Sequence, residues 1–160
     1  MKDGKLIVKD GKINFFCNMF TCKHCCCGPF GGISEELASV DKRPFDEIVL
    51  TDEDYEKLFN NGYAYLIEDG YSDGMKKPYH KMALKEDGTC KAYKDGMCSI
   101  HDISPTLCKA FPFYFDMFSG LCAIQCDGFR KNEFTPIDNL KPYFENARKM
   151  YEFWLKFYTE

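Results

Sequence analysis

A chain of 160 residues that is 45% hydrophobic and carries a formal net charge of −4 can bury a core without disulfide staples, so a single domain over residues 1–160 is expected. Its lysines and arginines are scattered rather than gathered into a run, which excludes the electrostatic footprint of a nucleic-acid binder. The opening MKDGKLIVKDGKINFF has a Lys or Asp every few residues, so no signal peptide or membrane span is expected; the protein is placed in the cytoplasm, with its ten cysteines as reduced thiols.

Residues 5–8 and 12–16 have strand character and flank Asp10-Gly11, a two-residue hairpin signal. The second strand would deliver Cys17 into the stretch FFCNMFTCKHCCC, residues 15–27, which holds five of the ten cysteines. Cys22 and Cys25 have the separation that lets one turn of backbone aim two thiolates at one ion. Cys25, Cys26 and Cys27 are consecutive. Neighbouring side chains leave a strand on opposite faces and diverge by about 100° on a helix, so the three cannot all converge on one point. At least one must serve a second centre, the core or chemistry. A disulfide-rich secreted domain and a set of buried thiols are the competing readings, and reduced thiols in the cytoplasm favour metal or iron–sulfur ligation over both.

Gly28, Pro29, Gly31 and Gly32 then break regular structure, either for close backbone approach to a ligand or as an ordinary loop. Ser34 can cap a short helix over 35–40 that Pro44 stops. An apolar run at 48–50 leads to Thr51, Asp52, Glu53 and Asp54, the cap and acidic first turn of a helix reaching about residue 60. The i, i+3, i+4 spacing of Tyr55, Leu58 and Phe59 predicts its buried face, and Gly62 ends it. Beyond it, strands are predicted at 64–67, 80–85 and 89–93, with turns at Asp69-Gly70, Asp73-Gly74, Asp87-Gly88 and Asp95-Gly96. The last turn closes a hairpin that returns Cys98 towards Cys90, a metal-site geometry.

Ser104 and Pro105 read as cap and first residue of a helix that carries Cys108 in its first turn, where unsatisfied N–H groups favour a thiolate. Phe111, Phe113, Phe115 and Phe118, around Pro112, read as core that keeps water from the cysteines. Residues 138–158 read as one long helix with an apolar stripe of Leu140, Tyr143, Phe144, Ala147, Met150, Tyr151, Trp154, Phe157 and Tyr158, and Pro142 is tolerable in its first turn. That stripe is expected to pack on the cysteine-bearing core, the alternative being a face that docks a protein partner. The fold class that results is α+β: a small irregular cysteine-rich domain with short antiparallel hairpins, a few short helices and a long C-terminal helix.

The run GTCKAYKDGMCSIHDISPTLCKAFPF resembles the second half of the CxxCxxCC cysteine-cluster family, the YkgJ-like zinc- or iron-chelating domain. The family pattern of a Cys, a short hairpin, Cys-Ser-Ile-Tyr, Arg-Pro, Cys-Arg and an aromatic before Pro is matched by Cys90, Cys98-Ser99-Ile100-His101, Ser104-Pro105, Cys108-Lys109 and Phe111-Pro112. VLTDEDYEKL resembles the family's intervening helix and Cys126-Asp127-Gly128 its closing Cys-x-Gly, so the resemblance covers about residues 13–129. The first half fits Phe15, Cys17, Cys22, Cys25 and Cys26 with two extra residues after Cys17, which leaves Cys27 and Cys122 supernumerary. His101 and Ser104 replace the family's Tyr and Arg.

The resemblance implies that Cys17, Cys22, Cys25, Cys26, Cys90, Cys98, Cys108 and Cys126 hold one or two metal centres. Soft thiolates accept zinc, copper(I) and iron–sulfur clusters alike, and the spacing is neither a zinc ribbon nor a ferredoxin run; the aromatic shell and the family resemblance slightly favour an iron–sulfur cluster over zinc. His24 and His101 are candidate ligands or thiolate donors, or else ordinary histidines; His80 has no cysteine close in sequence. The family is also related to flagellin lysine N-methylases, so a component of a protein-modifying enzyme is the second reading, although no glycine-rich nucleotide signature is present. A thiol-based metal carrier is the third, and it would need Cys26 or Cys27 exposed. At least one centre shared between the cysteines of 17–27 and those of 90–126 is expected.

Overall fold

The structure, a computed structural model, describes residues 6–17, 26–28, 47–124, 126, 128–130 and 132–160. The proposed helix at 35–40 with Ser34 and Pro44, the residues Pro29, Gly31 and Gly32, and Cys22, His24 and Cys25 lie outside them. In chain order the strands are β1 (Val8–Lys9), β2 (Lys12–Ile13), β3 (Val49–Leu50), β4 (Ile67–Ser72), β5 (Lys77–Met82), β6 (Tyr93–Lys94), β7 (Met97–Cys98), β8 (Phe113–Asp116), β9 (Gly120–Ala123) and β10 (Thr135–Pro136). The helices are α1 (Asp52–Asn60), α2 (Thr106–Ala110) and α3 (Lys141–Thr159). The fold is α+β, with two three-stranded sheets ordered β1-β2-β10 and β3-β5-β4 and two hairpins, β6-β7 and β8-β9.

Turn chemistry accounts for the hairpins. Asp10 and Gly11 have φ of 50° and 70°, and Asp95 and Gly96 have 52° and 78°, the left-handed pairs that a two-residue turn between twisted strands requires. In the β3-β5-β4 sheet the predicted positions shift. Ala64–Leu66 is a 3-10 turn, β4 begins at Ile67, β5 begins at Lys77 rather than His80, and Leu84 meets Cys90 in an isolated bridge instead of a continuous strand over 89–93. Asp69-Gly70 is no turn: it lies inside β4, where Gly70 pairs with Tyr79. A Cβ on Gly70 would stand 2.4 Å from the Tyr79 ring, so the glycine serves the passage of that ring. The chain reverses instead through residues 73–76, which contain the predicted Asp73-Gly74.

Helix α1 starts as predicted. The Asp54 N–H donates to Thr51 Oγ1 and the Thr51 N–H to Asp54 Oδ2, both at 3.1 Å, a reciprocal capping box. Leu58 is fully buried and Tyr55 half-buried, but Phe59 is 54% exposed, which corrects the predicted core face. Only one edge of the stripe meets the sheet; Tyr55 lies flat on His80 at 4.1 Å, and Phe59 stacks outside it on Tyr55 at 5.8 Å.

The predicted start of α2 is also corrected. Pro105 holds the N-cap position in an extended conformation with no side-chain cap, and Ser104 lies outside the helix. The cap comes from Asp54 instead, whose carboxylate accepts the Thr106 N–H at 3.1 Å and the Thr106 hydroxyl at 2.9 Å. Of the four phenylalanines around Pro112, Phe113 alone is fully buried; Phe111 and Phe115 are half-buried, and Phe118, in the turn between β8 and β9, is 81% exposed. The C-terminal helix is preceded by a 3-10 turn, Ile137–Leu140, so α3 begins three residues later than predicted. Ala147 and Met150 are its buried positions, with Leu140 buried in the preceding turn, whereas Tyr158 is exposed.

Two apolar cores result. The first gathers Ile48, Leu50, Leu58, Leu66, Met82, Ala92 and Ile100 with Cys27 and Cys90. The second gathers Ile13, Phe15, Ala110, Phe113, Phe129, Leu140 and Ala147 with Cys126. Helix α2 touches both, with Leu107 and Cys108 on the first and Ala110 in the second. No helix among the described residues is long and apolar enough to cross a membrane.

Candidate thiolate site

Main-chain hydrogen bonds bring the two halves of the cysteine set together. The Cys90 N–H donates to the Cys27 carbonyl at 2.8 Å, which ties residues 26–28 to the base of the second cysteine segment. Cys90 in turn accepts from the Tyr93 N–H at 2.9 Å, and the β6-β7 hairpin sets Cys98 opposite Tyr93. A 3-10 turn, His101–Ile103, then leads into α2, which presents Cys108 as its third residue. The Asp54 cap therefore holds the helix that carries a thiol.

The thiols of Cys26 and Cys108 are joined by a hydrogen bond. That bond, with a second from Cys27, pulls the Cys26 thiol well below its usual range, and the nearby His101 adds to the effect. Cys108 moves the other way, first because it is hydrogen-bonded to Cys26 and then because it is buried, with Cys90 and Cys98 close enough to repel further charge. The pair thus favours a single ionisation, with the Cys26 thiol drawn towards it and the Cys108 thiol held back. Burial pushes the Cys90 thiol up to about 11, and the neighbouring Cys98 and Cys26 oppose its ionisation as well.

Cys26, Cys90, Cys98 and Cys108, the first and the last two half-buried and Cys90 buried, lie within electrostatic reach of one another, so a second thiolate among them is costly without a compensating cation. That donor chemistry fits zinc or an iron–sulfur cluster, since either would displace the remaining thiol protons. Among the described residues no three His, Cys, Asp or Glu side chains are gathered closely enough to hold a metal ion as they stand.

Cys17 and Cys126 lie to one side, around Tyr143. Cys17 is exposed just beyond β2, and the Tyr143 side chain hydrogen-bonds to it. Cys126 is buried in the aromatic core, and its sulfur accepts the Gly128 N–H at 3.4 Å. Burial, and then Cys17, push the Tyr143 hydroxyl up to about 12. Cys122 stands apart on β9, its thiol directed to the Gly120 carbonyl at 3.6 Å, whereas Cys27 is buried in the first core beside Cys90 and hydrogen-bonds to Cys26. His101 lies within electrostatic reach of Cys26, whereas His80 is engaged by Tyr55 and by Asp69, 2.9 Å from its Nδ1.

Two residues of the site carry no mark in the sequence. Tyr143 reads there as one member of an apolar stripe, and Asp54 as the cap of its own helix alone. Set against known proteins, the chain matches no family model, no curated protein and no solved structure.

Proposed function

We propose that this chain is a single-domain metal-binding protein of the YkgJ-like cysteine-cluster kind. In this reading Cys17, Cys22, Cys25, Cys26, Cys90, Cys98, Cys108 and Cys126 hold one or two centres, with an iron–sulfur cluster favoured over zinc. The observation that supports it is the meeting of Cys26 with Cys108, more than eighty residues further along the chain, with Cys90 and Cys98 beside them. Thiols that served only as small apolar core residues would have no reason to share one easily formed charge. Bound metal would supply the positive charge that lets the remaining thiols ionise. The aromatic core around Cys126, which limits water at that sulfur, is the argument for iron–sulfur.

The compartment that suits this chemistry is the cytoplasm, where thiols stay reduced. The partner is a protein rather than nucleic acid or membrane, and the exposed Leu155 and Tyr158 on α3 offer it an apolar surface. A carrier would need accessible thiols at Cys26 or Cys27, but Cys27 is buried and Cys26 half-buried.

Anaerobic purification followed by metal and sulfide analysis and visible absorption tests the proposal. Iron with matching sulfide and a broad visible band is the expected result, and zinc in stoichiometric amount would keep the thiolate site but change its metal. Protein that holds neither and takes up neither on reconstitution would reject the reading.

A further inference from the structure

The tip of the β8-β9 hairpin is built to hold two apolar side chains in water. Asp116 pairs with Gly120 across the turn, its Oδ1 accepts the N–H groups of Phe118 at 2.9 Å and Ser119 at 2.8 Å, and Gly120 closes the loop at a φ of 74°. What this bonded turn carries is Met117, 68% exposed, and Phe118, 81% exposed. A bulky pair on a fixed turn loses little freedom when it is covered, which suits it to be a contact point. A receptor of matching chemistry lies at the base of the same hairpin, where Phe115, Pro142 and Phe144 with Lys141, Glu145 and Arg148 line an open groove of about 530 Å³. The charges along it are matched locally: Lys141 stands 3.2 Å from Asp138, and Arg148 bonds to Glu145 and Glu152. A charged ligand would have to break those pairs, whereas an apolar side chain keeps them and gains ring surface. Residues 113–124 hold no Lys or Arg, so the tip has no cation beside it to draw it to an anionic lipid surface.

We propose that this surface joins two copies of the chain, with the Phe118 of each seated in the groove of the other. In a two-fold pair one seating generates the second. Phe115, in the groove wall, is three residues before Phe118, so both seatings fall in one continuous patch. An aromatic side chain buries about 150–250 Å², which over both sides of both contacts gives about 600–1,000 Å². That is below the roughly 1,200–2,000 Å² of a stable complex. The pair is therefore a weak dimer that forms and parts with concentration, and it does not depend on the metal reading above.

Sedimentation equilibrium of the full chain, in reductant so that no disulfide can join two copies, is followed up to about 1 mM, the weak end of specific association. A monomer–dimer equilibrium is expected. Phe118→Ser removes the knob and Pro142→Arg puts a charge into the groove; both positions are exposed, and far-UV circular dichroism checks that the fold is kept. Each substitution should weaken the dimer about 100-fold, at about tenfold for each of the two symmetric contacts. Leu155→Ser, at an exposed apolar position further along α3, should leave it unchanged. Mixed together, Phe118→Ser with its intact groove and Pro142→Arg with its intact knob regain one seating, so the mixture should associate more strongly than either variant alone, which a dimer through any other surface would not do. A chain that stays monomeric, a mass that climbs past the dimer, a dimer indifferent to either substitution, or a mixture no stronger than its components overturns the proposal, and the first of these would leave the knob to a different protein or to lipid.

Discussion

Around Ile48, Leu50, Leu58 and Met82 the apolar core runs directly into thiols, with Cys27 and Cys90 inside it and Cys26, Cys98 and Cys108 packed against it. Around Phe15, Phe113 and Phe129 it runs into more rings, with Phe15 5.2 Å from each of the other two and Phe113 closed off by Phe144 at 5.1 Å. The aromatic core is stabilised chiefly by burial of rings, with Cys126 its single thiol among the described residues. The sulfur-walled core places ionisable groups where burial opposes their charge, so on the metal-binding reading its stability would be conditional on what the thiols hold. The two cores are joined through α2, which makes the contrast testable.

The largest effect is expected from Cys26→Ser and Cys108→Ser. Binding free energy at structural thiolate sites is about 10–16 kcal/mol and is spent in folding. Metal content should fall, and exchange of the Cys90, Lys91 and Ser99 amides, which donate to Cys27, Ala83 and Ala92, should speed greatly. The amides of Phe16 and Arg130, bonded to Gly128 and Asn14, should stay protected. Equal acceleration in both sets would show that the cores open as one. Phe113→Ala approaches the contrast from the other side. Loss of that buried ring should cost about 3–5 kcal/mol in denaturant unfolding, with metal stoichiometry unchanged; loss of metal as well would merge the two cores.

Asp54→Ala removes caps from both α1 and α2 and should cost about 2 kcal/mol, at about 1 kcal/mol for each cap. It should also hasten release of metal to a chelator by loosening Cys108. Ser104→Ala is the smallest change, because Ser104 caps neither helix, and its melting temperature should stay closer to that of the unaltered protein than that of Asp54→Ala. A larger loss at Ser104 than at Asp54 would return the cap to the position that local sequence suggests.

What could be read from sequence was what local chemistry decides. The Thr51–Asp54 box and the turns at Asp10-Gly11 and Asp95-Gly96 need only their own few residues, and they form as predicted. Phe59 and Phe118 were misassigned to the core because an apolar stripe does not say how much of itself a neighbour covers. Gly70 looks like half of a turn, and its reason lies on the facing strand, in Tyr79. At the site, the two-part cysteine pattern signalled that distant thiols converge, and Cys26 and Cys108 do meet. Tyr143 could not be singled out, because a hydroxyl within an aromatic stripe is visible only once the sulfur beside it has been placed.

The shared carboxylate of Asp54 has a consequence for the order in which a ligand can be captured. A helix of five residues does not persist by itself in water, where nucleation is unfavourable by a factor of about a thousand. Helix α2 therefore depends on tertiary contacts, among them the reach of Asp54 to Thr106 across 52 residues, a closure whose entropy at that length is about 3–4 kcal/mol. Presentation of Cys108 is a late, tertiary event. On the metal-binding reading proposed above, ligation by Cys108 would have to follow the closure of the chain between α1 and α2.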